Sequence, residues 1–392
     1  MKQQARRFTF RGCACCVTTP TLPPQRRVLP LREDSLSSAW SWRTDGHFGG
    51  PGANAGGGEQ RGRLFAADAG SGPSASPQSG SGTAAAAKPH RIDTHHHIAP
   101  PKFIDEMRAL LQPPTLAWTI EKSLEDMDRA GVATSITSIT TPGVWIGDHT
   151  QGRRVARECN DFAAKLVVDY PGRFGMFAAL PLPDVEASLR EIEHGLDVLK
   201  ADGISLFTSY RDKWLGDPAF EPVMAELNRR KAVVYTHPEA PVCCRNLIPG
   251  INEAVIEYGT DTARAIARLL FSGTASRYPD IRWIFSHGGG VLPMLYERFV
   301  RAGNLPQNKP QVPNGVMHEL LRFYYDVAQI AHPPGLSALT KMVPISQILW
   351  GTDFPFRFGW EYNKGLGEFG FSDADLRRIE RDNALTLLPR WR

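Results

Sequence analysis

No stretch of this 392-residue sequence is long and apolar enough to cross a membrane, since a spanning helix needs about 20 consecutive apolar residues. A glycine-rich phosphate turn of the dinucleotide-binding kind is also missing. The segment after the first strand-like stretch reads His97-Ile98-Ala99-Pro100-Pro101, and Gly288-Gly289-Gly290 lacks phosphate-loop spacing. Those three glycines read instead as a point of close backbone approach. Cysteine is scarce, with six in all. Cys13, Cys15 and Cys16 crowd the first residues, Cys159 falls in a helical pattern, and Cys243-Cys244 are adjacent. Adjacent cysteines bridge only with strain. No two cysteine pairs stand at zinc-knuckle spacing, which argues against a cysteine-held zinc and suits a reducing, cytoplasmic compartment. The folded part lacks a basic face as well. Residues 1–88 carry 11 Lys/Arg against 5 Asp/Glu, leaving 34 against 36 in 89–392, so the net charge of +4 belongs to the first stretch. A nucleic-acid role would want that charge on the body.

Residues 1–88 are crowded with Gly, Pro, Ser and Ala, as in Gly49-Gly50-Pro51-Gly52 and Ser71-Gly72-Pro73-Ser74. No apolar periodicity persists there, so a disordered, low-complexity extension is expected. Its arginines, including Arg6-Arg7 before Phe8, suit a degenerate export or transit signal; a wrongly chosen start site is the other reading.

From residue 89 onward, strand-like and helix-like stretches alternate. The strands are Ile92–His97, Val132–Ile139, Phe174–Leu180, Gly203–Phe207, Ala232–Thr236, Ile281–Ser286, Phe323–Val327 and Gln347–Gly351. Between them lie helical patterns such as Arg153–Asp169, with Val155, Cys159, Phe162 and Leu166 on one face. Asp184 and Asp261 read as helix caps. A last helix spans about Asp373 to Leu387. Eight strands alternating with helices predict a (β/α)8 TIM barrel over 89–392. The alternative is an open doubly wound sheet, which the missing phosphate turn disfavours.

The working groups of such a barrel sit at the C-terminal ends of its strands. Four ends carry a titratable or metal-competent side chain: His95-His96-His97, His237 in Tyr235-Thr236-His237-Pro238, His287 in Ser286-His287-Gly288, and Asp353 in Gly351-Thr352-Asp353-Phe354. Side chains alternate along a strand, so His95 and His97 share a face and His96 takes the other. A histidine at a strand end is by itself more often a hydrogen-bonding surface group than a ligand. Four such ends at one rim are better explained by a divalent metal site, because neutral imidazoles and a carboxylate suit Zn2+ and similar ions. His95, His97, His237 and Asp353 are the expected ligands, with His287 as the free acid or base.

These stretches, Ile92-Asp93-Thr94-His95-His96-His97, Tyr235-Thr236-His237-Pro238, Phe285-Ser286-His287-Gly288-Gly289-Gly290 and Trp350-Gly351-Thr352-Asp353-Phe354-Pro355-Phe356, resemble the amidohydrolase superfamily. The chain looks like the branch holding aminocarboxymuconate-semialdehyde, γ-resorcylate and 6-methylsalicylate decarboxylases. Asn160-Asp161-Phe162-Ala163, Tyr170-Pro171-Gly172-Arg173-Phe174 and Asp261-Thr262-Ala263-Arg264-Ala265 extend the resemblance across roughly 90–390. It implies a distorted barrel, one divalent ion (Zn2+, or Mn2+ as the alternative) and a homodimer or higher homo-oligomer. It matches His95, His97, His237 and Asp353 to the ligand positions and His287 to the strand-six histidine. The many binuclear hydrolytic members use a bridging lysine, but Ser205-Leu206-Phe207 stands at the end of strand four, which favours a single metal. The expected activity is non-oxidative decarboxylation of a small aromatic or unsaturated acid, with His287 or Asp353 delivering the proton. Hydrolysis of a lactone, amide or ester is the first rival, and a non-catalytic binding barrel the second. Arg245, Arg298 and Arg357 are candidates for holding the acid, and the substrate-binding residues stay open.

Overall fold

The computed structural model describes residues 89–392. The extension expected over 1–88 lies outside the described residues. Among them, eight parallel strands follow one another around a ring: β1 (Arg91–Ile98), β2 (Val132–Ile139), β3 (Phe174–Ala179), β4 (Gly203–Phe207), β5 (Val233–His237), β6 (Arg282–Phe285), β7 (Tyr324–Asp326) and β8 (Ile348–Leu349). Each pairs with its sequence neighbour in parallel. Between β8 and β1 the ring closes through the residues just after β8. His97 N–H donates to Phe354 C=O and Asp353 N–H to His95 C=O, each at 2.8 Å. That irregular seam is the distortion in the barrel, and it brings the Asp353 segment directly against the histidine strand.

The covering helices are α1 (Ile120–Ala130), α2 (His149–Asp169), α3 (Val185–Glu193), α4 (Glu221–Arg229), α5 (Glu257–Phe271), α6 (Leu292–Gly303), α7 (Pro333–Met342) and α8 (Gly359–Phe369). The first three starts follow capping chemistry. Asp184 accepts from Ala187 N–H as expected, and Thr119 and Asp148 do the same for α1 and α2. Asp261 does not cap its helix, contrary to the sequence reading. Helix α5 begins at Glu257, and the fully buried Asp261 carboxylate instead accepts from Thr208 and Ser209 hydroxyls and Trp214 Nε1–H. It braces a small hairpin, Ser209–Tyr210 with Lys213–Trp214, that follows β4.

Two apolar layers fill the fold. The larger lies between strands and helices and includes Trp283, Trp350 and Leu206. The smaller lies inside the lower barrel: Ile92, Ile136, Phe177, Val233, Tyr235, Ile284 and Leu349, closed by Ala384, Leu387 and Leu388 of the C-terminal helical run. That run therefore plugs one end of the barrel, each fully buried leucine contributing about 1.5–3 kcal/mol. Chemistry is left to the other end.

Helix α8 was not foreseen. It docks where a side chain would not fit, since a Cβ on Gly359 would come within 2.5 Å of the Ala130 Cβ. The Asp126 carboxylate accepts from Gly359 N–H at 3.0 Å. Burial pushes the Asp126 carboxyl up to about 6, against the pull of Gly359 N–H and His96. An unfolded aspartate titrates near about 3.9, so between these values the folded chain holds a proton that the unfolded chain releases. Stability therefore falls as pH rises from about 4 to 6 and is level above. Asp126→Asn, which keeps an acceptor for Gly359, is expected to raise the melting temperature at pH 7 and to raise it by well under half as much at pH 4.5. An equal shift at both pH values in a thermal scan would contradict this.

Candidate metal centre and active site

Strand β1 reaches the site through an irregularity. Asp93 pairs with Ser135 and His96 with Thr137, so Thr94 and His95 together oppose the single residue Ile136. This is a β-bulge, one extra residue on one strand. Ile92 faces the barrel interior, and strict alternation from Ile92 would have turned His96 inward. The bulge reverses the parity and turns His95 and His97 inward instead. The bulge is held by Asp93, a buried carboxylate accepting from His95 N–H at 3.0 Å, Thr352 N–H at 3.1 Å and the Thr352 hydroxyl at 2.7 Å. His96 packs outward as expected, stacked on Phe354 and bonded to the Ser123 hydroxyl on α1 at 2.9 Å.

The inward groups converge. His95 Nε2 lies 3.1 Å from His97 Nε2 and 3.2 Å from Asp353 Oδ1, and His97 Nε2 is 3.1 Å from the same oxygen. His237 Nε2 is 3.8 Å from it. Each imidazole is oriented by a partner on its other nitrogen. His95 Nδ1–H donates to Asp326 Oδ2 at 2.9 Å, and His237 Nδ1–H to Pro238 C=O at 2.8 Å. His97 Nδ1 meets the Ser138 hydroxyl at 3.0 Å. Such bonds leave the Nε2 lone pairs facing the centre, as metal-ligating histidines require. Among the described residues, His237 Nε2 and Asp353 Oδ1 are buried with no hydrogen-bond partner, a costly arrangement unless a cation sits among them. Ligand atoms about 2.0–2.2 Å from an ion at tetrahedral angles stand roughly 3.4 Å apart, close to these spacings. The three histidines and Asp353 have the donor set and geometry of a buried divalent-metal site.

A different foursome also clusters: one ligand atom each from His95, His237, His287 and Asp353 lies within 4.8 Å of the others. His287 Nε2, however, faces Asp353 Oδ2 at 3.3 Å, the oxygen turned away from the imidazole trio. The set with His97 is the tighter one around Oδ1, and it leaves His287 beside the centre.

Burial is the largest influence on His95, His97, His237 and Asp353. It lowers His97 to about 3 and His237 to about 4, so both are neutral. His95 behaves oppositely: Asp326 and Asp353 outweigh its burial and raise it to about 10. Burial would raise Asp353, but the charge on His95 and the bond from His287 hold it well below the usual carboxylate range. Metal loading would exchange the His95 proton for the cation, so binding is coupled to proton release.

A family model described as amidohydrolase matches residues 92–390. The chain belongs to the amidohydrolase family. A decarboxylase of Aspergillus niger is 36% identical over 323 residues, covering 77% of this chain and 88% of that one. The 6-methylsalicylic acid decarboxylase of Penicillium expansum is 34% identical over 319 residues, covering 76% and 96%. These relatives agree with the decarboxylase branch that the motifs resemble. Among solved structures, a dihydroxybenzoic acid decarboxylase from Polaromonas with bound manganese and 2-nitroresorcinol superposes with a TM-score of 0.67. It is 24% identical and covers 77% of this chain and 98% of that one, a likeness of fold.

All five residues singled out from sequence meet at this one rim. Asp326 was missed: fully buried at the end of β7, it holds His95 and also accepts from His287 N–H at 2.9 Å. The same search of strand ends that found the others would have reached it. Gln329, Ser138 and Asp93 carried no comparable signal. Of the arginines, Arg298 is exposed on α6, and Arg245 bonds Ala240 C=O. Arg357 reaches the site indirectly, with Nη1 3.4 Å from Gln329 Oε1. A cavity of about 480 Å3 lies outside the ring, between α1 and Phe354–Phe358; no member of the donor cluster lines it.

Proposed function

We propose that this chain is a metal-dependent, non-oxidative decarboxylase of a small aromatic acid of the 6-methylsalicylate kind. The observation that carries the reading is the His287–Asp353 pair, 3.3 Å apart, set beside convergent donors on a rim walled by aromatic rings. Two decarboxylases similar over most of their length support it. His95, His97, His237 and Asp353 would hold one divalent ion, zinc with manganese as the alternative. When bound, the ion supplies positive charge that stabilises a developing oxyanion and aligns the acid.

The ring centroids of Phe207 and Tyr258 each stand 6.0 Å from that of His237, and Phe356 stands 6.2 Å from His97. These partly exposed rings admit a flat substrate and restrict its tilt. His287, steadied by Asp353, delivers a proton to the ring carbon bearing the carboxylate. The bond from that carbon to the carboxylate then breaks, its electron pair returns to the ring, and CO2 leaves. No oxidant or reductant enters this balance. A homodimer or larger homo-oligomer belongs to the same proposal, because Leu247, Ile248, Ile251 and Ile256 stand exposed around one shallow depression of a kind that partner subunits cover.

The test is a panel of hydroxybenzoic and muconate-type acids offered to the metal-loaded protein, with CO2 and product mass both measured. Release of one CO2 per turnover from a salicylate-type acid is expected. Water added to a lactone, amide or ester, with no CO2 from any acid, would establish hydrolysis instead. Binding without turnover would leave only a binding barrel, against the intact set of His287 and four donors.

A further inference from the structure

The two oxygens of Asp353 have different surroundings. Oδ1 faces the Nε2 atoms of His95, His97 and His237. Oδ2 lies 3.3 Å from His287 Nε2 and accepts from Gln329 Nε2–H at 2.8 Å. Gln329 belongs to no strand-end motif and sits three residues beyond Asp326. Its amide spans opposite charges, because Oε1 accepts from Arg357 Nη1 at 3.4 Å while Nε2–H donates to the carboxylate. Those partners set the amide's orientation, since the flipped form would turn oxygen toward Asp353 and nitrogen toward a guanidinium. The main chain is pinned too, with Gln329 N–H donating to the buried Tyr362 hydroxyl at 3.2 Å.

The backbone carries the same message. Among the described residues seven non-glycine positions have positive φ, and three of these are joined through Asp353 (64°), which bonds both His287 (54°) and Gln329 (61°). Such strain persists only where the surroundings over-determine it, and it gathers at functional sites. The other four are Lys200, Arg211, Lys231 and Asn246.

We propose that Gln329 is a positioning residue for the Asp353–His287 pair. A carboxylate turns about its terminal bond, and the Gln329 amide, donating to one oxygen at 2.8 Å, holds it at one rotation. It commits Oδ2 to the His287 side and leaves Oδ1 as the donor facing the imidazoles. It also keeps both oxygens from turning toward the imidazoles together. Arg357 is the outer brace, itself held by Glu361 through Nε at 2.9 Å. The activity readout of this proposal rests on the decarboxylase reading; its spectroscopic readout does not.

The test uses Gln329→Met, which keeps the length and removes the amide, and Gln329→Gly, which relieves the left-handed backbone. Both are loaded with Co2+, whose visible spectrum reports coordination geometry. Expected for both is wild-type metal stoichiometry, a cobalt spectrum shifted from wild type, and kcat lowered about 10–100-fold with KM moved less than about threefold. The glycine variant should show this loss while melting no lower than the wild type, which separates positioning from a scaffold role. A wild-type cobalt spectrum with kcat within twofold in Gln329→Met overturns the proposal. So does loss of metal from either variant, which would make Gln329 a support for binding instead. If the wild-type chain releases no CO2 from any acid, the decarboxylase reading fails while the cobalt spectra still decide on Gln329.

Discussion

His95→Ala is expected to lower bound metal below a tenth of the wild-type content and to reduce turnover by on the order of 10³-fold or more. His95 has the most connected position in the cluster. Its Nε2 is within 3.2 Å of both His97 and Asp353, and its Nδ1 joins Asp326. Truncation removes one donor and leaves Asp326 Oδ2 without the imidazole it accepts from, so some loss of stability accompanies the loss of metal. His237→Ala is the companion variant, because His237 leans only on its own backbone neighbour, Pro238 C=O, and its loss disturbs less. Elemental analysis beside circular dichroism checks both. A folded His237→Ala protein with full metal content would overturn the ligand assignment, and a metal-free but fully active one would overturn the metal's role.

The second large effect belongs to His287. His287→Asn is expected to lower turnover about 10²–10⁴-fold, the usual worth of a positioned acid or base, while metal content stays at the wild-type level. Asparagine tolerates the left-handed backbone that His287 adopts, with φ of 54°. It also keeps the main-chain N–H that Asp326 accepts. The variant therefore removes the imidazole and little else. Loss of metal in His287→Asn would place His287 among the ligands, in the foursome that excludes His97. Activity within about threefold of wild type would remove His287 from the proton transfer. Measuring metal content and CO2 release on the same samples separates these outcomes.

Much of the site was legible because barrels place their chemistry at one rim, and each strand end can be read one at a time. His237 and Asp353 stand at strand ends in plain sequence, and the glycines after His287 mark a turn. Asp326 was legible on the same terms and was passed over. Gln329 was not, since a glutamine in a loop has no spacing or periodicity to mark it; its part depends on where Arg357 and Asp353 arrive from the other side of the ring. Asp261 shows the converse error. An aspartate before an apolar run looks like a cap, and only the hairpin after β4 supplies the hydroxyls and indole N–H that its buried carboxylate satisfies instead.

The sequence by itself determined the order of eight strands and of most of their helices, because apolar periodicity and turn residues are local properties. It also determined that His95 and His97 share a face, because two residues apart on a strand always do. Which face they share was decided by the tertiary structure. The extra residue at Thr94–His95, held by Asp93 across to Thr352, reverses the alternation begun at Ile92 and aims the pair into the barrel. A bulge is set by the register between two strands and by what lies across the closing seam, so no reading of β1 alone contains it. The same holds for the plugged lower end, where Leu387 and Leu388 return from the far end of the chain. That closure leaves one open rim, and the donors meet there.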